Sequence, residues 1–250
     1  MALLPNPAKD FKSMIGVEIV TRTLFIQYGQ CTGSGFVFDY LSRQYIVTAK
    51  HVVDSIDRQG KICINLDSNW HELSVNLVGV PQNGADVAVL CAGTRLSLSS
   101  CPEGKSGEIF YGHQVYFLGF PFGMSMPPSR PTSGSFPVPF IKQGIVSAMG
   151  VQIDGNRVIC LDGFNNPGLS GGPAVYHPNP FKPMGERNPT KILGIISGYR
   201  FDSEPIYVEN EGQEELTSLI YKANTGIVIV HPISDAISVI ESNPVGFILD

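Results

Sequence analysis

An all-β architecture, barrel or sandwich, is what the sequence predicts, and three observations carry that expectation. Short apolar stretches rich in Val, Ile, Phe and Tyr recur along the whole chain. Gly, Pro, Asn and Asp punctuate them, with 27 glycines and 19 prolines among 250 residues. The alternation of strands with helices that marks an α/β chain is missing.

Taken in order, strands are expected near residues 17–28, 33–40 and 44–49, where β-branched and aromatic residues cluster between Gly and Ser turns. Others are expected near 61–66, 71–80 and 86–91, then at 113–119, 142–152, 157–161, 172–176, 191–198 and 224–230. The convincing helix is the last element. Pro232 suits a first helical position, Ile233, Ala236, Ile237 and Ile240 share one face, and Asn243-Pro244 ends it.

Three stretches depart from short turns. Residues 121–139 carry six prolines (Pro121, Pro127, Pro128, Pro131, Pro137, Pro139), too many for a paired strand. Residues 177–190 add Pro178, Pro180, Pro183 and Pro189. Connections this long in a compact domain are usually lids, binding loops or disorder. A third, 200–222, is acidic through Asp202, Glu204, Glu209, Glu211, Glu214 and Glu215. It is read as a loop with a solvated face, a docking site being the alternative.

Composition excludes several classes. No apolar run approaches the roughly 20 residues that cross a bilayer as a helix. The start, Met1 to Asp10, lacks the basic and long apolar regions of a secretory leader, so a cytoplasmic protein is expected. Net charge is -5 without a basic cluster, which argues against a nucleic-acid partner and leaves a protein or peptide substrate open. Five cysteines (Cys31, Cys63, Cys91, Cys101, Cys160) form an odd set without C-x-x-C, so reduced, mostly buried thiols are expected rather than a disulfide framework or a zinc site. Neither a cofactor nor a metal is implied.

The run Asn165-Asn166-Pro167-Gly168-Leu169-Ser170-Gly171-Gly172-Pro173 sets a serine among glycines. It fits the G-x-S-x-G elbow of α/β-hydrolases, the G-x-S-G-G-P found around the nucleophile of chymotrypsin-type proteases, or a solvated glycine turn. An elbow needs a strand before the serine and a helix after it, whereas Pro167 precedes, Pro173 follows, and the chain continues into Ala174-Val175-Tyr176. That reading keeps one point: Ser170, Asp202 and His231 stand in α/β-hydrolase order. The protease reading needs a histidine and an aspartate upstream, each near a strand end. His51 sits where Ile46 to Ala49 gives way to a turn, and Asp86 sits at the mouth of the apolar run Val87 to Leu90.

With these residues in hand, the chain resembles the trypsin-like serine peptidases, most of all their HtrA/Deg-like branch. The resemblance rests on Thr32 to Val37, Val47 to Val53, Asp86 to Leu90, Gly119 to Gly123, Gly144 to Ser147, Asn166 to Pro173 and Gly194 to Ser197, which follow one another in the family's order from about residue 14 to 242. It implies two six-stranded antiparallel β-barrels with the active site between them and a C-terminal helix. The expected division is residues 1–110 for the barrel carrying His51 and Asp86, 111–230 for the barrel carrying Ser170, and 231–250 for the helix and tail. No PDZ-like segment follows, so a peptidase domain standing alone is expected.

The resemblance also assigns roles. Ser170 would be the nucleophile, His51 its base, Asp86 the residue orienting His51, and the Gly168 and Ser170 N–H groups the oxyanion donors. Ser197 would hydrogen-bond Asp86 and, with Gly198 and Tyr199, line the substrate groove. Phe164, six residues before Ser170, would stand at the base of the specificity pocket, where trypsin-like enzymes carry an acid, so cleavage after apolar residues is expected. Leu169 replaces a polar residue of the family, which argues against activation by N-terminal processing and leaves open whether the oxyanion loop is formed or collapsed at rest. The 121–139 loop would gate access to the pocket. Two other functions stay open, a catalytically silent or partner-activated binding module and an esterase using the same triad. Monomer and trimer also stay open, since relatives trimerise through N-terminal segments and residues 1–13 here are short.

Overall fold

Hairpins govern the local structure because two-residue turns bring consecutive strands straight back onto each other. Leu41-Ser42, Asp67-Ser68 and Asp154-Gly155 each hold two successive positive φ values, the backbone twist that matches paired strands. The computed structural model describes residues 15–128, 135–179, 181, 189–210 and 213–249. Pro131, Pro180, Pro183 and Glu211, and the N-terminal segment 1–13, lie outside the described residues.

The first barrel uses β1 (Thr23–Tyr28), β2 (Cys31–Tyr40), β3 (Arg43–Thr48), β4 (Gln59–Leu66), β5 (Asn69–Gly79) and β6 (Ala88–Ala92). Its antiparallel order is β3-β2-β1-β4-β5-β6, and β6 closes on β3 through Ile46↔Leu90, Val47↔Val89 and Thr48↔Ala88. After the short β7 (Glu103–Gly104), the second barrel uses β8 (Gln114–Gly119), β9 (Phe140–Ile153), β10 (Asn156–Asp162), β11 (Pro173–Tyr176), β12 (Lys191–Asn210) and β13 (Gln213–Pro232). Its order is β11-β8-β9-β10-β13-β12, closed by β11 on β12. Closure pairs the edge strands of each barrel with one another, β6 with β3 and β11 with β12. The fold is therefore two closed six-stranded barrels, with β7 added to β12 and β14 (Phe247–Ile248) added to β3.

Each barrel has its own filling. Leu24, Ile26, Val37, Ile46 and Ile62 pack inside the first, and Val115, Phe117, Val146, Leu161 and Leu193 inside the second. A third cluster joins them: Phe36, Phe38 and Val47 meet Leu118, Val175 and Ile195 under the C-terminal helix, which contributes Ile233, Ala236, Val239 and Ile240.

Several expected elements differ. The strand expected over 17–28 begins instead with α1 (Val17–Val20), a single helical turn. Burial of Ile19 and Val20 and the bond from Thr23 Oγ1 to the Ile19 carbonyl override the β preference of Val-Glu-Ile-Val. The acidic stretch 200–222 is not a loop. It forms the outer parts of β12 and β13, paired from Phe201↔Asn224 to Asn210↔Gln213. The 121–139 stretch holds a 3-10 turn at Pro121–Gly123 and a bridge between Met126 and Val138. The terminal helix α2 spans Ile233–Ser242. Of the five free cysteines, Cys91 and Cys160 are buried, Cys63 and Cys101 are half-buried, and Cys31 is exposed, so burial is less general than expected.

Candidate active site

β3 ends at Thr48, and after the extended Ala49 a 3-10 turn over Lys50–Val53 pushes His51 outward while Val52 and Val53 anchor the turn in the core. Opposite, the bend at 83–87 is shaped by Asn83, whose Oδ1 accepts the Ala85 N–H, and it presents Asp86 just before β6. Asp86 then holds His51 twice. Its Oδ1 accepts the His51 N–H at 2.9 Å, and its Oδ2 lies 2.6 Å from His51 Nδ1. Ser197 Oγ donates to the same Oδ2 at 2.6 Å.

These bonds set the electrostatics. Burial by itself would raise the Asp86 carboxyl, yet the hydrogen bonds and charge of His51 and the Ser197 hydroxyl outweigh it and hold the group at about 2. His51 moves the other way, raised by its bond to Asp86 against the opposing effect of burial.

Ser170 stands in a turn that only glycine-rich sequence can make. Gly168 has φ +96° and Gly171 φ +85°. A Cβ on Gly168 would collide with the Phe120 carbonyl, and one on Gly171 with the Ser34 carbonyl and Thr48 Oγ1. The turn is pinned to the first barrel by Ser34, whose N–H donates to the Ser170 carbonyl at 2.8 Å and whose Oγ donates to the Gly168 carbonyl at 2.7 Å. Leu169 is fully buried in the second barrel's core, so it anchors the turn from below. Its N–H donates to the Asn166 carbonyl, whereas the Gly168 and Ser170 N–H groups have no partner among the described residues.

Ser170 Oγ donates to the Ser197 carbonyl at 2.7 Å. Ser197 thus touches both groups, its hydroxyl on Asp86 and its carbonyl on Ser170. Gly198 and Tyr199 continue β12 from there, both half-buried. Phe164 is exposed, and the Lys142 ammonium lies 5.3 Å from its ring centroid and 2.6 Å from Asn166 Oδ1. Burial lowers the Lys142 ammonium from its ordinary value.

His231 comes close to this group by a route the sequence order did not suggest. It is buried, and its Nε2 accepts the backbone N–H of Asp86 at 3.2 Å. Burial lowers its pKa against the pull of Asp235, whose Oδ2 lies 3.8 Å from Nδ1. Asp202, the third member of the elbow ordering, sits instead in the β12–β13 ribbon, paired with Ala223. No helix follows Ser170 either, since Pro173–Tyr176 is a strand. Among the described residues no group of three or more metal-ligating side chains gathers, and no helix is long and apolar enough to cross a membrane.

Two six-stranded barrels with these residues at their junction define a chymotrypsin-like fold. The trypsin-like peptidase domain family matches residues 33–177, and the chain belongs to that family. It is 32% identical over 153 residues to a probable periplasmic serine endoprotease, DegP-like, of Hahella chejuensis, covering 59% of this chain and 28% of that one. It is 28% identical over 158 residues to Protease Do-like 1, chloroplastic, of Arabidopsis thaliana, covering 60% and 31%. The matched segment thus spans under a third of these relatives' length. Among solved structures, the HtrA-type protease AlgW with tripeptide superposes with TM-score 0.59 at 22% identity, covering 90% of this chain and 60% of that one. The serine endoprotease from Yersinia pestis gives TM-score 0.56 at 20% identity, covering 90% and 63%.

Proposed function

We propose that the chain is a serine endopeptidase that works through His51, Asp86 and Ser170 and an acyl-enzyme intermediate. The observation that carries this reading is the double hold of Asp86 on His51, with Ser197 joining Asp86 to Ser170. A serine hydroxyl is a weak nucleophile near neutral pH and needs a base. With Nδ1 bound to Asp86, His51 keeps Nε2 for the Ser170 proton as Oγ attacks the peptide carbonyl carbon. The resulting oxyanion takes the N–H groups of Gly168 and Ser170, which have no partner among the described residues. His51 then passes the proton to the leaving amine, and the acyl-serine is hydrolysed by water through the same base.

Cleavage after apolar residues fits the same site. No carboxylate stands at Phe164, and the Lys142 ammonium beside its ring disfavours a substrate Lys or Arg. A peptide library should therefore return apolar residues before the cut, and a strong preference for Lys or Arg would refute this.

One observation favours a second reading, a silent protease-fold module that needs a partner. Ser170 gives its hydroxyl hydrogen to the Ser197 carbonyl, so Oγ must rotate before His51 can deprotonate it. Intact mass after exposure to a fluorophosphonate decides between the two. A single adduct on wild type that is lost in Ser170→Ala and His51→Ala is the expected outcome. An unlabelled, folded wild type would favour the silent module.

A further inference from the structure

From Phe201 and Asn224 outward, β12 and β13 pair only with each other among the described residues and run on as a two-stranded arm out to Asn210↔Gln213. A ribbon of two strands has no core beneath it, so its side chains are placed for solvent or for a partner. Those on this arm are poorly suited to solvent: Leu216, Leu219 and Ile220 are 65%, 62% and 67% exposed, and Tyr207 and Tyr221 are 55% and 59%. Apolar exposure this concentrated marks a contact surface. Carboxylates are interleaved with it. Among the described side chains these are Asp202, Glu204, Glu209 and Glu214, against Arg200 and Lys222, and the Lys222 ammonium already lies 4.6 Å over the Phe201 ring.

Charge decides the occupant. A second copy docking arm to arm would oppose carboxylate to carboxylate, and an anionic lipid surface would be repelled in the same way. A polypeptide with apolar and basic residues complements the arm. The path to it is continuous, since β12 passes Ser197, whose carbonyl meets Ser170 Oγ, before entering the arm. Its ladder to β11 stops at Ile195 and that to β7 at Ile192, so in the arm itself, from Phe201 outward and past the groove residues Gly198 and Tyr199, the second edge of β12 carries no strand among the described residues. An extended chain can add there through main-chain bonds.

We propose that the arm is a docking strand for the substrate polypeptide, an unfolded or extended segment rich in apolar and basic residues, bound outside the cleft. The proposal rests on the peptidase reading and is tested apart from it by binding. Reduced, alkylated lysozyme serves as the basic probe and reduced, alkylated α-lactalbumin as the acidic one, each fluorescently labelled and titrated against full-length Ser170→Ala protein.

Affinity for the lysozyme chain should fall about tenfold or more when Glu204→Lys, Glu209→Lys and Glu214→Lys are combined, while the α-lactalbumin chain gains. Leu219→Ser with Tyr221→Ser should weaken both. In the active background, these variants should slow digestion of the lysozyme chain and leave hydrolysis of a short peptide amide within about twofold, since only the long chain reaches the arm. Equal binding by all variants would overturn the proposal, as would a wild-type dimer that the triple Lys variant converts to monomer. Arm-dependent binding with no hydrolysis by wild type would instead sink the peptidase reading and leave the arm standing.

Discussion

Asp86 is held in place by contacts on both its side chain and its backbone, and each has a separate consequence. The side chain raises the His51 pKa above the ordinary 6.5. A base acts only when neutral, so kcat/KM should climb with pH through a value above 6.5. Asp86→Asn removes the largest cause of that rise. Its acid limb should shift to lower pH while the plateau falls about 10⁴-fold, because the wrong tautomer is then favoured. A pH–rate profile checks both, and an unmoved limb would exclude His51 as the base. The backbone contact predicts a different effect. His231→Leu strips the Asp86 N–H of its buried acceptor and should cost about 1–3 kcal/mol, whereas His231→Gln offers a carbonyl in its place and should recover much of the urea midpoint. The sequence singles out His51, Asp86 and Ser170 because each residue type stands beside a strand end or among glycines, and the fold sets His51 on Asp86 and joins Asp86 to Ser170 through Ser197. The contact of His231 with Asp86 is not legible there, since it spans 145 residues and no local pattern encodes it.

At the scale of elements, the legible strands are those with at least one buried face. β3 and β8 read as apolar runs because nearly all of their residues are buried. The outer halves of β12 and β13 read as an acidic loop because a ribbon exposed on both faces shows no in-out alternation. The turn around Ser170 shows the converse, irregular backbone with one side chain buried in the core. Leu169 packs with Val115, Phe117 and Leu193, and the Gly119 backbone closes over it. Leu169→Ala should therefore cost about 2–5 kcal/mol through the cavity it leaves. If Leu169 holds the turn competent, fluorophosphonate labelling of the folded variant should also slow. Labelling at the wild-type rate in spite of lost stability would show that Ser34 and the glycines suffice.

At the scale of the molecule, the two barrels share one core, and that predicts how the chain unfolds. Phe36, Phe38 and Val47 of the first barrel pack with Leu118, Val175 and Ile195 of the second, and α2 covers them with Ile233, Ala236 and Ile240. The chain crosses back once more when β14 pairs with β3, so helix and tail tie the end of the second barrel to the first. Neither barrel can open without exposing apolar surface of the other, at roughly 25 cal/mol for each Å². A single cooperative transition should follow. The chain's one tryptophan, Trp70, packs against Phe25 in the first barrel and reports on it by fluorescence. Cys160, buried in β10, reports on the second through site-resolved thiol labelling. In urea the two reporters should share a midpoint. Ile240→Ala, which thins the shared core without touching the inside of either barrel, should lower both midpoints together by the equivalent of about 2–5 kcal/mol. Separate midpoints, or a shift in only one, would mean that the barrels are independent and that the site at their junction is held by its hydrogen bonds alone.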